Sequence, residues 1–173
     1  MKRFDAHVMA VLARRRAERI DWMIGPLSML ATLEPLTLQG LIAFLMFIVT
    51  IGGNAPFHFA SMAIGSGVLS ELAKRAVLRP RPAGPHLILW IRGSSYPSGD
   101  LLTATAIYLT IAFIVSPHLP DGAARPVLYS IVTSLLAMLA GCRVYAGVHH
   151  PSDVGGGILL GAAWALFVSA WFA

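Results

Sequence analysis

An imidazole and a carboxylate four residues apart, His149 and Asp153, follow an arginine, Arg143, at the mouth of a segment otherwise fit only for lipid. Ionisable groups are expensive to keep in such surroundings, so their presence reads as a functional site. Two further fragments, Lys74 to Arg81-Pro82 and Pro97-Ser98-Gly99-Asp100, complete the set. A phosphate in transfer spreads negative charge over its equatorial oxygens, and fixed cations and backbone N–H groups stabilise that charge. Arginine forks hold phosphate oxygens bidentately while lysine acts as a point charge, so Lys74, Arg81 and Arg143 together suit one tetrahedral anion. Any one of them alone would read as a snorkelling interfacial residue; three at one membrane level do not.

Ser98 and Gly99 follow a proline and open an apolar run, the pattern of a helix start. Free N–H groups and the positive dipole end there accept an anion, and a glycine lets the backbone come close to it. If the last helix begins by Pro151, Asp153 can hold one ring nitrogen of His149 and leave the other directed at phosphorus. That is how a histidine nucleophile is kept in one tautomer. His149, His150 and Asp153 are also potential metal ligands, but the nearby arginines oppose a cation, and no metal or other cofactor is expected.

The elements that must position these groups are membrane helices. Of the 173 residues 57% are hydrophobic and 12% charged, too few charges for a soluble domain of this size. Uncharged apolar windows fall at about 36–53, 57–70, 101–117, 127–142 and 154–173, several approaching the roughly 20 residues of a span. Adding the short window 22–33 as a tilted first span gives an all-α polytopic bundle of about six transmembrane helices in a single domain, 1–173. Residues 1–20, basic and without a long apolar region, read as an amphipathic segment on the cytoplasmic membrane surface. Gly157-x-x-x-Gly161 and Ser61-x-x-x-Gly65 suit close helix approach. The single cysteine, Cys142, excludes an internal disulfide.

The net charge of +5 does not point to nucleic acid, because six of the 13 Lys and Arg residues lie in residues 1–20, where anionic lipid accounts for them. Counting six spans from a cytoplasmic N-terminus puts Lys74–Pro82, Ser98-Gly99 and Arg143–Asp153 together on the outer face. That leaves Lys74, Arg75, Arg79, Arg81, Arg92 and Arg143 on the side that should be poor in cations, while the inner loop 116–126 holds only Arg125. Two explanations stand: these cations are kept for an anion, or the chain has five spans and the site faces the cytoplasm.

The three fragments resemble the signature of the type 2 phosphatidic acid phosphatase superfamily, which shares its active site with vanadium haloperoxidases. Its pattern is Lys, six residues, Arg-Pro; then Pro-Ser-Gly-His; then Ser-Arg, five residues, His, three residues, Asp. Lys74 to Arg81-Pro82, Pro97-Ser98-Gly99 and Arg143 to His149 to Asp153 fit it in order and spacing over about residues 70–160. The resemblance implies that Lys74, Arg81, Ser98, Gly99 and Arg143 bind phosphate, that His149 is a nucleophile forming a phosphohistidine, and that Asp153 orients it. Two positions depart from the pattern. Cys142 replaces the serine, at a cost of about one hydrogen bond. Asp100 replaces the histidine that would protonate the leaving oxygen; ionised it would repel phosphate, and protonated it could itself be the acid. The implied activity is a metal-independent lipid phosphatase of a bacterial inner membrane, slowed or inactivated by Asp100. Its substrate would be a polyprenyl pyrophosphate, phosphatidylglycerol phosphate, phosphatidic acid or a glycolipid phosphate. A lipid phosphotransferase and a non-catalytic lipid-phosphate binder or transporter are the alternatives.

Overall fold

The computed structural model describes residues 2–15, 18–29, 33–51, 53–83 and 93–172. Its helices are α1 (Lys2–Arg15), α2 (Glu18–Met29), α3 (Leu33–Thr50), α4 (Ala55–Val77), α5 (Gly99–Val115), α6 (Ala124–Tyr145) and α7 (Pro151–Phe172), with a 3-10 turn at Ser116–His118. The five apolar windows became α3 to α7: α4, α6 and α7 are lengthened by their flanks, while α3 and α5 keep their windows' lengths, shifted two or three residues towards the N-terminus. α4 stops where Leu78 takes a left-handed conformation at φ 47° and donates its N–H to the Lys74 carbonyl. Pro80 and Pro82 then prevent its resumption. Gly147, at φ 77°, supplies the positive φ that turns α6 back towards α7.

α5 is the centre of the bundle. It packs against α4, α6 and α7, most extensively against α7. Leu101, Leu102, Ala104, Ala106 and Ala112 on it are fully buried, as expected of a helix apolar all round. The outer helices keep a lipid-facing apolar surface that includes Leu45, Ile131, Leu159 and Trp171. α6, α7 and the stretch Gly99–His118 are each long and apolar enough to cross a membrane, and Thr37–Thr50 is a shorter apolar helix. The chain is thus an integral membrane helix bundle. The α5–α7 contact depends on missing side chains. A Cβ on Gly157 would stand 2.5 Å from the Ser98 carbonyl oxygen, and one on Gly161 would overlap the Leu102 carbonyl. Gly65 makes the equivalent space for Trp164 of α7, whereas Ser61 is exposed.

The N-terminal region lies elsewhere than the six-span count requires. α4 ends, α5 begins, α6 ends and α7 begins at one end of the bundle, the site end. α3 joins α4 through residues 51–54 at the opposite end, so α3 must enter from the site end. α1 is tied to that same end, because buried Asp5 accepts a hydrogen bond from Arg79 Nη2 at 2.7 Å and from the Ser152 N–H at 3.0 Å. α2 is tied there too: Tyr145 Oη donates to Asp21 Oδ1 at 2.8 Å, and Ile24 packs on Ala146 and Val148. A helix of 12 residues is about 18 Å long, short of the roughly 30 Å hydrocarbon layer, and α2 starts at the end from which α3 departs. α2 is thus not among the helices long and apolar enough to cross a membrane, and the count of six spans is not confirmed; residues 30–32 of the window 22–33 lie outside the described residues. α2 leaves Ile20, Trp22 and Met23 exposed, the apolar side of an interfacial helix. Among the described residues, five helices, α3 to α7, run alternately between the two ends. α1 does not lie opposite the site, because its buried Asp5 must stay with Arg79.

Gly161→Val should lower the thermal unfolding midpoint in detergent, because overpacking against an immovable backbone costs about 1–3 kcal/mol. Gly155→Ala, on the same helix with nothing within 4 Å of the added carbon, should leave the midpoint unchanged or raise it.

Candidate active site

Backbone hydrogen bonds bring the three fragments into register. The Ser98 N–H donates to the Asp153 carbonyl at 2.9 Å, joining the start of α5 to the first turn of α7. Ser95 is clamped to the segment after α4, its N–H donating to Arg79 O at 2.8 Å and its Oγ to Pro80 O at 2.9 Å. Arg81 reaches across to the α6–α7 turn, with Nη1 donating to Val148 O at 2.8 Å. Arg92 lies outside the described residues.

All eight residues singled out in the sequence gather here. Arg143 is 1% exposed, and its Nη2 lies 2.8 Å from Asp100 Oδ2. That contact is an ion pair without hydrogen-bond alignment, so Nε and Nη2 of this buried guanidinium have no aligned acceptor. Ser98 is the N-cap of α5, yet its Oγ makes no capping bond and is buried without a partner. Beside them Lys74 and Ser70 crowd the first residue of α5: a Cβ on Gly99 would stand 2.7 Å from Lys74 Nζ and 2.6 Å from Ser70 Oγ. The glycine thus admits an ammonium to a helix N-terminus, a closer approach than any side chain at 99 would permit. Buried donors without acceptors are rare and demand an explanation. An anion held between Arg143, Ser98 and Lys74 supplies one.

His149 is 2% exposed, in the turn between α6 and α7. Its Nδ1–H donates to the Ser95 carbonyl at 2.9 Å, while Asp153 Oδ2 stands 3.9 Å from that nitrogen, beyond hydrogen-bond reach. The ring is oriented by a backbone carbonyl, with Asp153 acting on it through charge. Asp153 spends its oxygens elsewhere: Oδ2 accepts from the His150 N–H at 2.9 Å, and Oδ1 from Arg79 Nη1 at 2.6 Å. The other ring nitrogen of His149, Nε2, lies 3.4 Å from Arg81 Nη1 and so points at that guanidinium. His150 lines a different cavity, with Asp5, Val77 and Arg79.

Sequence reasoning passed over four contributors. Arg79 bridges Asp5 and Asp153; its spacing within the Lys74–Arg81 fragment hints at proximity but not at partners. Asp5 and Ser152 bond to each other and to Arg79, with Ser152 Oγ 2.6 Å from both Asp5 Oδ2 and Arg79 Nη1. Burial alone would raise the Asp5 carboxyl, but the Ser152 and Arg79 donors outweigh it and hold the group below its usual range. Ser95 acts through its carbonyl, which no residue type announces.

A polar pocket of about 200 Å³, lined by Ser70, Glu71, Lys74, Gly99 and Asp100, shares Gly67 and Thr103 with an apolar groove of about 420 Å³ between α3, α4 and α5. Among the described residues no three His, Cys, Asp or Glu side chains converge as a metal site would require.

The family model of the PAP2 superfamily matches residues 55–173, the part of the chain that holds every one of these fragments. The chain belongs to that superfamily. It is 30% identical over 136 residues to phosphatidylglycerophosphatase B of Bacillus subtilis (strain 168), a match spanning 73% of this chain and 66% of that relative's length. Its fold is that of a transmembrane PAP2-type phosphatidylglycerolphosphate phosphatase from Bacillus subtilis, with a TM-score of 0.87 at 23% identity, covering 97% of this chain and 84% of the other. It also superposes on LpxE of Aquifex aeolicus, with a TM-score of 0.74 at 21% identity over 95% and 94% of the two chains.

Burial pushes the His149 imidazole below its ordinary value of 6.5, a shift that Arg81 and Arg143 reinforce and Asp153 opposes. The ring should therefore stay neutral at pH 7 and take its proton only as pH falls below 6.5. In histidine-labelled protein, the resonance lost in His149→Gln should titrate below that value. A midpoint at or above it would mean that Asp153 outweighs burial.

Proposed function

We propose that this chain is an integral membrane lipid phosphatase of a bacterial inner membrane, hydrolysing a lipid phosphate or pyrophosphate without a metal, with residues 1–173 acting as one domain. The carrying observation is the set of unmet donors, Arg143 Nε and Nη2 with Ser98 Oγ, buried beside Lys74, with Nε2 of His149 turned towards the Arg81 guanidinium. One tetrahedral anion would satisfy all of them. The groove that opens into this pocket is apolar, which suits a substrate whose tail stays in the bilayer. Among lipid phosphates, the names of the relatives put phosphatidylglycerol phosphate first, ahead of phosphatidic acid, polyprenyl pyrophosphate and glycolipid phosphate.

In this reading Lys74, Arg81, Arg143, Ser98 and the N–H groups at Gly99 hold the equatorial oxygens. Nε2 of His149 attacks phosphorus, forming an N–P bond as the P–O bond to the lipid alcohol breaks. The Nδ1–H bond to Ser95 keeps the lone pair on Nε2. Water then hydrolyses the phosphohistidine, releasing inorganic phosphate and restoring neutral His149. The carboxylates that could ligate a metal already face Arg79, Arg143 and the His150 N–H, which supports a cation-assisted, metal-free reaction.

In this reading Asp100 takes the position of the residue that would protonate the leaving oxygen, and its carboxylate pairs with Arg143. Substrate phosphate must displace it from that guanidinium. The pair slows turnover in this reading, and it is also what favours the second one, a lipid-phosphate binder that releases no phosphate.

His149→Ala should abolish phosphate release from a lipid-phosphate panel while the protein still purifies folded, and His150→Ala should not. The opposite result would move the nucleophile by one residue. Release by the parent chain should survive strong chelation and be blocked by vanadate.

Asp100→His should raise turnover of alkyl phosphates strongly, since general acid help is typically worth about 10²–10⁴-fold. Aryl phosphates, whose leaving groups depart with little protonation, should gain much less. An alkyl rate unchanged or lowered would make Asp100 the native acid, and no release from any substrate would favour the binder.

A further inference from the structure

We propose that Asp5, on the N-terminal helix α1, is a positioning residue of the catalytic centre: by engaging one side of Arg79 it keeps an oxygen of Asp153 turned to His149. Asp5 stands outside residues 55–173, which carry the superfamily match, yet it is 1% exposed and bonded into the wall behind the site. Arg79 divides its terminal nitrogens between two carboxylates. Nη1 donates to Asp153 Oδ1 at 2.6 Å, and Nη2 donates to Asp5 Oδ2 at 2.7 Å. Asp153 Oδ2 is thereby left to the His150 N–H at 2.9 Å and to the imidazole, 3.9 Å from Nδ1.

A guanidinium and a carboxylate pair best as a fork, with two parallel N–H bonds to the two oxygens of one partner. Asp5 prevents that here by holding Nη2, and Ser152 holds Asp5 in turn through its N–H at 3.0 Å and its Oγ at 2.6 Å. Without the Asp5 carboxylate, Nη2 can close the fork on Asp153 and draw Oδ2 away from the ring. Charge points the same way. Burial opposes a charge on Asp5, but its Ser152 and Arg79 donors outweigh it, so the group is a carboxylate at neutral pH. Asp5, Arg79 and Asp153 together then carry one net negative charge, whereas Arg79 and Asp153 alone would carry none.

On the phosphatase reading, on which this part rests, His149 needs that charge for one step. As Nε2 bonds to phosphorus and the P–O bond to the lipid alcohol breaks, Nδ1 keeps its proton on the Ser95 carbonyl and the ring becomes positive. The charged groups facing the ring are Arg81, Arg143, Asp100 and Asp153. Asp100 is paired with Arg143, which leaves Asp153 as the counter-charge. A counter-charge to a ring that is positive only as the bond forms lowers the barrier without tightening substrate binding.

Asp5→Asn keeps the shape of the side chain and removes its charge. In the full chain it should lower kcat on a lipid phosphate about tenfold or more, the effect of one hydrogen bond to a charged group, with KM nearly unchanged. Asp5→Glu, which restores the carboxylate, should recover most of the loss. A kcat kept in Asp5→Asn, a KM that rises in its place, or an equal loss in both variants would each overturn the assignment, the last by making Asp5 a packing residue. A second readout does not depend on catalysis. In histidine-labelled protein the His149 midpoint, expected below 6.5 in the parent chain, should fall further in Asp5→Asn and return in Asp5→Glu, because the imidazolium loses part of its counter-charge. An unmoved midpoint sinks the proposal. If Asp5→Asn does not fold, Ser152→Ala, which only loosens Asp5, should move kcat and midpoint in the same directions by less, and no movement again overturns it. A midpoint that falls in a protein releasing no phosphate from any lipid would end the phosphatase reading and leave Asp5 in its positioning role.

Discussion

One guanidinium shared by two buried carboxylates organises this protein. Arg79 donates to Asp153 on α7 and to Asp5 on α1, and Ser152 closes the ring. Two carboxylates without that cation would each carry a desolvation cost of several kcal/mol, so neither α1 nor the start of α7 can leave Arg79 cheaply. A buried network of this kind is weak evidence for net stability, but it specifies position strongly. It fixes the segment after α4 against the α6–α7 turn, and it brings the N-terminal helix to the catalytic end. The carbonyl of Ser95, bonded through its own N–H to Arg79 O, is then in place for His149.

Around that frame the site is organised by what lacks a partner. A buried arginine with two unmet donor atoms, a serine hydroxyl with none and a lysine pressed against a helix N-terminus would be a costly arrangement for an empty pocket. On the proposed function each cost would vanish as an anion enters, and binding energy and preorganisation would have the same source. Asp100 offsets part of the charge on Arg143. Any substrate phosphate competes with a carboxylate already within 2.8 Å of its best cation.

The apolar windows, the proline breaks and the spacing of Lys74, Arg81, Ser98, Arg143, His149 and Asp153 were legible because each rests on local physics. Helix periodicity and hydropathy place α3 to α7, and motif spacing on helix ends places cations beside an imidazole. The small residues Gly157 and Gly161 likewise announced a close approach, and α5 fills it. Local physics stops at partners distant in sequence. Nothing in residues 1–20 distinguishes Asp5 from a solvated carboxylate, and basic composition alone made that stretch a free surface helix. Only the folded chain, by placing Asp5 74 residues away from Arg79 along the sequence yet 2.7 Å from it in space, decides that the N-terminus shares an end with the site. It likewise decides that a carbonyl, which has no residue signature, holds His149 while Asp153 stands back at 3.9 Å. The sequence by itself determined a membrane bundle whose helix ends carry cations, a serine and a histidine at fixed spacing. The tertiary structure decided which end those side chains share with α1, because buried charge can be satisfied only where its partner lies.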